Sequence, residues 1–283
     1  MSEAKAITRA RRTALWIFGV ASLLAVSLGA VVMAQADIPV SIWIRNPVAW
    51  IAAAGIGIGI VLARRGWLDT AVLPGAVIVV ALSLSGAGQQ GVHRWLDFGP
   101  VQLNAAALVL PAAILVLNRA GDMLAFASFA LIAGILAWQP DISQLAGFGL
   151  AALILAGARS QGWLAVGAAI LMVAAAIALC LSRPDPLAPV PHVEGVFTLA
   201  WSQSPPLAIA MGASLALAAL SPLIVWSAHP LGLAAPLALA IYLCTTGAAF
   251  LFGAYPVPLA GHGLSFVIGW WLGIAALCVR RDS

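Results

Sequence analysis

The sequence predicts an all-α fold, that of a polytopic integral membrane protein with about ten transmembrane helices. Of its 283 residues, 63% are hydrophobic and 8% are charged, and the mean hydropathy is +1.08. This is more apolar surface than the core of a soluble domain of this length can bury. The apolar residues also fall into ten separate segments, and Lys and Arg concentrate in alternate breaks between them. Both patterns are typical of membrane-spanning helices.

The ten apolar segments are separated by short breaks rich in Gly, Pro or Arg, which are typical of turns. A spanning helix needs roughly 20 residues, and segment 145–158 is short by that measure. We predict helices at about 13–33, 47–63, 70–87, 103–118, 122–138, 145–158, 162–181, 206–226, 231–253 and 263–279. No break has room for an aqueous domain. We therefore expect a single transmembrane domain over residues 1–283, with a cytoplasmic basic leader at 1–12 and the main outward-facing connector at 181–205.

The first segment has two interpretations. A basic stretch from Lys5 to Arg12, an apolar run from Thr13 to Met33 and the following Ala-Gln-Ala also describe a cleavable signal peptide. The run is longer than the roughly 7–15 residues of a signal-peptide core and long enough to span a membrane. We therefore predict an uncleaved first helix.

The cationic residues are distributed unequally between the two faces of the predicted bundle. If the N-terminus is inside, three of the 13 Lys and Arg residues lie on the outer face: Arg45, Arg94 and Arg183. The others lie on the inner face: Lys5, Arg9, Arg11, Arg12, Arg64, Arg65, Arg119, Arg159, Arg280 and Arg281. The positive-inside rule then places both termini in the cytoplasm. It also explains the net charge of +4, so we expect no nucleic-acid partner.

Four unusually polar segments fall on the outer face under this topology. They are residues 88–102, the turn 139–141, the connector with Arg183, Asp185, His192 and Glu194, and the segment 255–263 with His262. Polar groups at the edge of the hydrocarbon are costly and tend to be retained for a ligand or an interface. Any chemistry therefore faces outward, where ATP is not expected. The sequence has no Gly-rich phosphate loop and no His-Glu-x-x-His pattern, and we expect no nucleotide cofactor.

These segments resemble motifs of the SEDS family, the RodA and FtsW peptidoglycan polymerases. Residues 94–100, Arg-Trp-Leu-Asp-Phe-Gly-Pro, resemble the family's Arg-Trp-Ile-x-Leu-Gly-Pro signature, and the Gln-Pro-Asp of 139–141 resembles its Gln-Pro-Asp-Leu-Gly turn. The His-Val-Glu-Gly-Val-Phe of 192–197 resembles His-Thr-Asp-Phe-Ile-Phe, and 256–263 resembles Pro-Leu-Pro-Phe-Val-Ser-Tyr-Gly. The four matches occur in the family's order and cover the chain from about 88 to 279.

The resemblance implies an inverting glycosyltransferase that joins lipid II units into glycan strands and releases undecaprenyl pyrophosphate. Such an enzyme works at the outer face of the bacterial cytoplasmic (inner) membrane, in cell wall biogenesis, cell shape and cell division. Its substrate is a polyprenyl-pyrophosphate-linked saccharide whose tail lies among the helices and membrane lipids. The resemblance also implies a single-span class B penicillin-binding transpeptidase as a partner.

On the family's pattern the catalytic carboxylate falls at Glu194, where Glu replaces Asp. A carboxylate at the mouth of a dry groove can take the proton from an acceptor hydroxyl, or hold Mg²⁺ or Mn²⁺ against the leaving pyrophosphate. The resemblance is therefore compatible with a divalent cation, Mg²⁺ or Mn²⁺, as a cofactor bound at Glu194. We expect six further residues to contact the substrate: Arg94, Trp95, Asp97, Asp141, His192 and His262.

Each of these residues also has a simpler interpretation. Glu194 can be a solvated carboxylate in a Pro-rich loop. Arg94 and Trp95 can anchor a helix at the membrane interface, although the planar fork of an Arg also suits phosphate. Asp97 can form an ion pair with Arg94, and Asp141 can cap a helix. The two histidines can be hydrogen-bonded loop residues.

Two charges that the family carries are missing from this sequence. After the Gly-Pro pair the family reads Gln-Pro-Ser-Glu and soon afterwards Lys, whereas residues 104–107 here are Asn-Ala-Ala-Ala and Leu110 stands in place of the Lys. The connector before Pro205 is also short. Two alternative functions therefore stay open. One is a non-catalytic SEDS-like scaffold or regulator of cell-wall synthesis, and the other is a lipid or small-solute transporter, in which helices broken at the bilayer midplane are expected.

Overall fold

The computed structural model describes residues 3–63, 68–159, 163–183, 185–228 and 232–279, and this part of the chain is predominantly helical. It contains twelve α-helices, three short 3-10 helices and one small β-hairpin. The helices are α1 (Glu3–Gln35), α2 (Val40–Trp43), α3 (Arg45–Ala63), α4 (Leu68–Leu82), α5 (Ala105–Leu117), α6 (Asp122–Trp138), α7 (Ile142–Ala158), α8 (Trp163–Leu181), α9 (Val196–Gln203), α10 (Pro205–Leu220), α11 (Ala234–Ala248) and α12 (Leu264–Cys278). The hairpin consists of β1 (Trp95–Asp97) and β2 (Gln102–Asn104).

Ten of these helices correspond to the ten predicted apolar segments, which confirms a polytopic all-α membrane protein. Five spans in the described residues have 18 residues or more and are apolar enough to cross a membrane. Others are shorter: α5 has 13 residues, α12 has 15 and α7 has 17. At 1.5 Å per residue these three are about 20–26 Å long, less than the roughly 30 Å of bilayer hydrocarbon.

The three short helices lie in the interior of the bundle. Helix α12 packs against α3 and α5, and α7 packs against α11. Most residues of α5 and α12 are buried, whereas only Val173 and Cys180 are buried in the longer α8. Because protein covers most of α5 and α12 and one face of α7, these helices need not match the full thickness of the hydrocarbon. Their N-terminal ends line a polar cavity at one end of the bundle.

The contact between α12 and α5 predicts a large effect of a single methyl group. A Cβ on Gly269 would lie 1.9 Å from the carbonyl oxygen of Ala107, so the two helices would have to separate. Overpacking of this kind typically costs about 1–3 kcal/mol. We expect Gly269→Ala to lower the melting temperature of the purified protein, and Gly55→Ala, whose Cβ would have no neighbour within 4 Å, to leave it unchanged. Equal melting temperatures for the two variants would contradict this packing.

Besides helix α2 and the start of α1 at Glu3, which lie outside the predicted segments, two local elements differ from the sequence prediction. The helix predicted at 103–118 begins at Ala105, because the preceding residues form strand β2, which pairs with β1 in antiparallel register. The turn between the strands is stabilised locally: Gly99 has a φ of +76°, and its N–H donates to the Asp97 carboxylate at 2.8 Å. The second difference is helix α9, which lies within the connector 181–205.

The described cations of the predicted inner face lie at the end of the bundle opposite the cavity. Helices α5, α7 and α12 all begin at the cavity, so their C-terminal ends lie at the other end. There the Cys278 thiol lies 3.7 Å from the Arg11 carbonyl oxygen, and Arg159 donates to the carbonyls of Leu117 and Ala120. Both ends of the described chain therefore lie on one face. Four arginines assigned above to the inner face, Arg64, Arg65, Arg280 and Arg281, lie outside the described residues.

Candidate functional site

Residues from all four polar segments line one cavity of about 350 Å³. The hairpin contributes Arg94 and Trp95, the connector contributes Glu194, and the N-termini of α5, α7 and α12 form part of the wall. Six of the seven site residues predicted from the sequence lie there: Arg94, Trp95, Asp141, His192, Glu194 and His262. The fold therefore brings together residues that are up to 168 positions apart in the sequence.

Asp97 is the predicted site residue that does not line the cavity. It is exposed, and its carboxylate accepts the N–H of Gly99 inside the hairpin turn. The ion pair with Arg94 considered above is not formed either, because Arg94 pairs with Asp185 and Asp141 in the described structure. The geometry therefore assigns Asp97 to the turn rather than to substrate contact.

Arg94 connects three of the four polar segments. Its Nε donates to the carbonyl of Gln139 at 3.0 Å, and its Nη2 donates to the carbonyl of Pro140. Nη2 also lies 2.7 Å from the Asp185 carboxylate, and Nε lies 3.9 Å from the carboxylate of Asp141. The Arg94 side chain is only 11% exposed. Its Nε and Nη2 donors are engaged by protein, so Arg94 holds the turn 139–141 and the connector against the hairpin.

Asp141 is the N-cap residue of α7 and has a saturated carboxylate. One oxygen accepts the Ser143 hydroxyl at 3.2 Å and the N–H of Gln144 at 3.4 Å. The other accepts the Asn104 amide at 3.2 Å, and Asn104 in turn caps α5 by accepting the N–H of Ala107 at 2.8 Å. Side-chain caps satisfy the N–H groups left free at helix starts. These contacts favour the capping interpretation of Asp141.

Glu194 lies in a tight turn of the connector, half-buried in the cavity wall. Its carboxylate accepts the N–H of Val190 at 2.7 Å. Burial raises the pKa of Glu194, although hydrogen bonds from the backbone N–H groups of Val190 and of Glu194 itself partly oppose the shift. A carboxylate with a raised pKa is a stronger base once it is ionised, which suits proton abstraction near neutral pH.

The segment before α12 holds the Glu194 turn in place. The N–H of Val257 donates to the carbonyl of Val193 at 3.1 Å, and the N–H of His262 donates to the carbonyl of His192 at 2.8 Å. A Cβ on Gly261 would lie 2.4 Å from the Val193 carbonyl oxygen, so only glycine permits this approach. The connector and the last segment thus form one wall of the cavity.

The two histidines face each other across this wall, with ring centroids 6.0 Å apart. Burial lowers the pKa of His192, and burial together with the charges of His192 and Arg45 lowers the pKa of His262. The lowered pKa favours the neutral form of both rings. Across the described residues, no group of three or more His, Cys, Asp or Glu side chains is placed to hold a metal ion. The donor set of the described residues therefore does not fit a divalent cation bound by the protein alone.

Arg45 is a cavity residue that the sequence analysis did not single out. It stands at the start of α3, and its Nη1 donates to the carbonyl of Pro100 at 3.1 Å. The neighbouring Asn46 is fully buried and donates to the carbonyls of Leu259 and Gly261, at 3.2 and 2.7 Å, which fixes the start of α3 to the cavity wall. The signal was available, because Arg45 is one of three cations assigned to the outer face.

The start of α12 adds a second feature that favours an anion. Gly263, Leu264 and Ser265 line the cavity. The N–H of Gly263, the N-cap residue, donates to Asn46 Oδ1 at 3.2 Å, and Gly263 supplies no side-chain cap for the N–H groups that follow it. Side chains already cap the starts of α5 and α7. The free N–H groups and the dipole of a helix start favour negative charge. Arg45 and the start of α12 therefore give one part of the cavity an electropositive character.

This fold and cavity define the class of protein: a polytopic helical membrane protein with the architecture of RodA. The structure of the Thermus thermophilus rod shape determining protein RodA matches with a TM-score of 0.68 and 18% identity, covering 93% of this chain and 94% of that chain. The structure of an Asp-to-Ala mutant of that protein matches with a TM-score of 0.66 and 18% identity, over 93% of this chain and 95% of that chain.

A third match is a chain from a study of how a peptidoglycan synthase complex coordinates polymerisation and crosslinking. Its TM-score is 0.61 at 16% identity, over 93% of this chain and 96% of that chain. No protein-family model matches the sequence, and no curated protein matches it significantly. At these identities the likeness establishes the fold, and it confirms the SEDS-like architecture expected from the four motifs.

Proposed function

We propose that this chain is a divergent SEDS-family glycosyltransferase that polymerises lipid II at the outer face of the bacterial cytoplasmic membrane. The observation that carries the proposal is one cavity whose lining includes a half-buried Glu194 carboxylate, Arg45 and the start of α12. The fold shared with RodA structures and the meeting of the four family-like motifs at this cavity support it. The purified protein should convert lipid II into glycan strands, and an inactive folded protein would count against the proposal.

In the proposed reaction Glu194 acts as the general base. It takes the proton from the acceptor sugar hydroxyl as that oxygen attacks the anomeric carbon of the donor. The new glycosidic C–O bond forms while the bond from the anomeric carbon to the pyrophosphate oxygen breaks, and the configuration inverts. The leaving group departs as undecaprenyl pyrophosphate, which carries the electron pair of the broken bond. A positioned base of this kind contributes roughly 10²–10⁴-fold to a rate.

The leaving pyrophosphate is assigned to Arg45 and the start of α12. Arg45 has one Nη bonded to Pro100, and the planar fork of an Arg retains further donors for phosphate oxygens. Arg94, which the motif alone had suggested for this role, donates to protein carbonyls and to Asp185 instead. Its contribution in this proposal is to hold the connector and the turn 139–141 around the substrate.

Replacing Arg45 with alanine tests this assignment. Hydrogen bonds to charged groups contribute about 1.5–3 kcal/mol, so we expect binding of undecaprenyl pyrophosphate to weaken by roughly 10–100-fold. The measurement is a dissociation constant on protein in nanodiscs. The matched control is Arg183→Ala: Arg183 is an Arg of the same face that stacks on Trp138 at 3.8 Å and does not line the cavity. Equal losses in the two variants would remove Arg45 from the site.

The proposal also covers a partner and a location. One solved structure with this fold comes from a peptidoglycan synthase complex, which supports a single-span class B penicillin-binding transpeptidase as the partner. The basic end of the bundle would face the cytoplasm and the cavity would face outward, in accordance with the positive-inside rule. The exposed apolar side chains of helices such as α8 would contact membrane lipids and the polyprenyl tail.

A second candidate function is a scaffold or regulator of cell-wall synthesis without chemistry of its own. The observation that favours it is the environment of the two missing family charges. Ala107 and Leu110, which stand at these positions, are completely buried in the apolar core. They supply no charge to the cavity. The scaffold hypothesis predicts that Glu194→Gln leaves the biological role intact, whereas the enzyme hypothesis predicts its loss.

A further inference from the structure

Gln144 is a buried polar residue in the wall of the cavity. It lies in the first turn of α7, it is fully buried, and it lines the cavity. Its Oε1 accepts the hydroxyl of Tyr242, a fully buried residue of α11. Its Nε2 has no hydrogen-bond partner among the described residues. Buried amide donors are nearly always satisfied, so an orphaned donor beside a cavity points to a ligand that completes it.

The surroundings hold the Gln144 amide in one orientation. Helices α7 and α11 approach closely at Gly147, where a Cβ would lie 3.0 Å from the Tyr242 ring. The backbone carbonyl of Tyr242 accepts the hydroxyl of Thr246 at 2.9 Å, within the same buried contact. Because the Tyr242 hydroxyl donates to Oε1, Nε2 is left as the free donor. The group is therefore fixed before a ligand binds, which lowers the entropic cost of binding.

The charges nearby indicate which oxygen the Gln144 donor would bind. The Asp141 carboxylate accepts the backbone N–H of Gln144 at 3.4 Å, so a negative charge lies in the same helix turn as the Gln144 side chain and disfavours an anion there. The two cations that line the cavity contact other groups: Arg94 contacts Asp185 and two carbonyls, and Arg45, whose remaining donors are assigned to the pyrophosphate, bonds Pro100 at the hairpin turn. A neutral acceptor suits a neutral amide donor in this environment better than a phosphate oxygen does.

We propose that Gln144 is a specificity-determining residue whose amide nitrogen donates a hydrogen bond to a neutral oxygen of the saccharide, a hydroxyl or amide carbonyl oxygen. Tyr242 is its positioning residue. The inference rests on the proposed function and adds to it a division of the cavity. Arg45 and the start of α12 bind the pyrophosphate, which every polyprenyl-pyrophosphate carrier shares, and Gln144 contacts the sugar.

The test compares two ligands on the same protein: lipid II, and undecaprenyl pyrophosphate without a sugar. Sites that hydrogen-bond a substrate discriminate strongly against ligands that lack the bonded group. We expect Gln144→Leu to raise the dissociation constant for lipid II by about 10-fold and to leave that for undecaprenyl pyrophosphate unchanged. Tyr242→Phe should raise the first constant by a smaller factor, because Gln144 keeps its donor and loses its fixed orientation.

The double variant Gln144→Leu/Tyr242→Phe separates this role from a structural one. It removes both polar partners together, and such a change is nearly neutral for stability in many buried pairs. The double variant should therefore have the melting temperature of the wild type and still bind lipid II about 10-fold more weakly than the wild type does. If the wild type prefers lipid II and the Gln144→Leu variant keeps the same preference, this inference would be overturned and the proposed function would stand. Equal wild-type affinity for the two ligands would also overturn this inference alone, whereas a wild type that binds neither ligand would overturn it together with the proposed function. Equal weakening of both ligands by Gln144→Leu would also overturn the assignment to the sugar.

Discussion

Replacing Arg94 with alanine is expected to lower the free energy of unfolding by about 3–5 kcal/mol, the usual cost of breaking a buried ion pair by removing one partner. The Asp141 side chain, 6% exposed, would lose its nearest cation. The carbonyls of Gln139 and Pro140 would lose donors, and Asp185 would lose its contact at 2.7 Å. The measurement is equilibrium unfolding of the purified protein in detergent.

The control for this prediction is a surface ion pair in the same protein. Asp122 pairs with Arg159 at 3.3 Å, and the Asp122 side chain is 77% exposed. Exposed pairs contribute about 0–1 kcal/mol, so Asp122→Ala should change stability by no more than that. Arg94→Lys should fall between the two, because it keeps the charge and loses the planar fork. If Arg94→Ala were as stable as Asp122→Ala, Arg94 would not be the connection between the polar segments.

Glu194→Gln is expected to reduce the rate of glycan polymerisation by roughly 10²–10⁴-fold, because glutamine keeps the shape of the side chain and cannot accept the proton. Folding should be unaffected, since the amide oxygen of a glutamine can still accept the N–H of Val190. Asp97→Asn is the matched control: it changes a carboxylate of the same face that lies outside the cavity. Its rate should stay within about twofold of the wild type. A Glu194→Gln protein that polymerises at the wild-type rate would refute the assignment of the base.

The pH dependence of the wild type provides an independent check on Glu194. The base is active when it is ionised, so the rate should rise with pH through the pKa of Glu194 and level off above it. Because burial raises that pKa, the rise should occur at higher pH than for a solvent-exposed Glu. The rate should therefore fall when the pH is lowered through the pKa of Glu194, and it should not fall when the pH is raised through that pKa. A rate that does not change with pH on either side of the pKa of Glu194 would indicate that Glu194 is not the base that accepts the proton.

The helices were predictable because a membrane span leaves a strong signal. Each one needs a long apolar run, and the breaks between runs carry Arg, Gly and Pro. The predicted segment 122–138 matches α6 in both bounds, and 162–181 differs from α8 by one residue. The meeting of six candidate residues in one cavity was predictable for a different reason: polarity is costly in this chain, so polar clusters stand out against an apolar background.

The roles of the site residues were less predictable, because they depend on contacts between distant segments. Arg94 stands in a motif that suggests phosphate binding, yet its donors are used by carbonyls 45 and 46 positions further along the chain. Gln144 looks like one polar residue in the first turn of a helix, and its free donor is visible only once Tyr242 is placed 98 positions away. The hairpin at 95–104 depends on a local turn at Gly99 rather than on an alternating pattern.

The most direct test of the proposed function is lipid II polymerisation by the purified wild-type protein with Mg²⁺ or Mn²⁺, alone and with a single-span penicillin-binding transpeptidase. Product length is read by gel electrophoresis, and Glu194→Gln is the matched negative control. We predict glycan ladders from the wild type and none from the variant. The absence of product in every condition, from protein shown to be folded by its melting transition, would contradict the enzyme and support the scaffold.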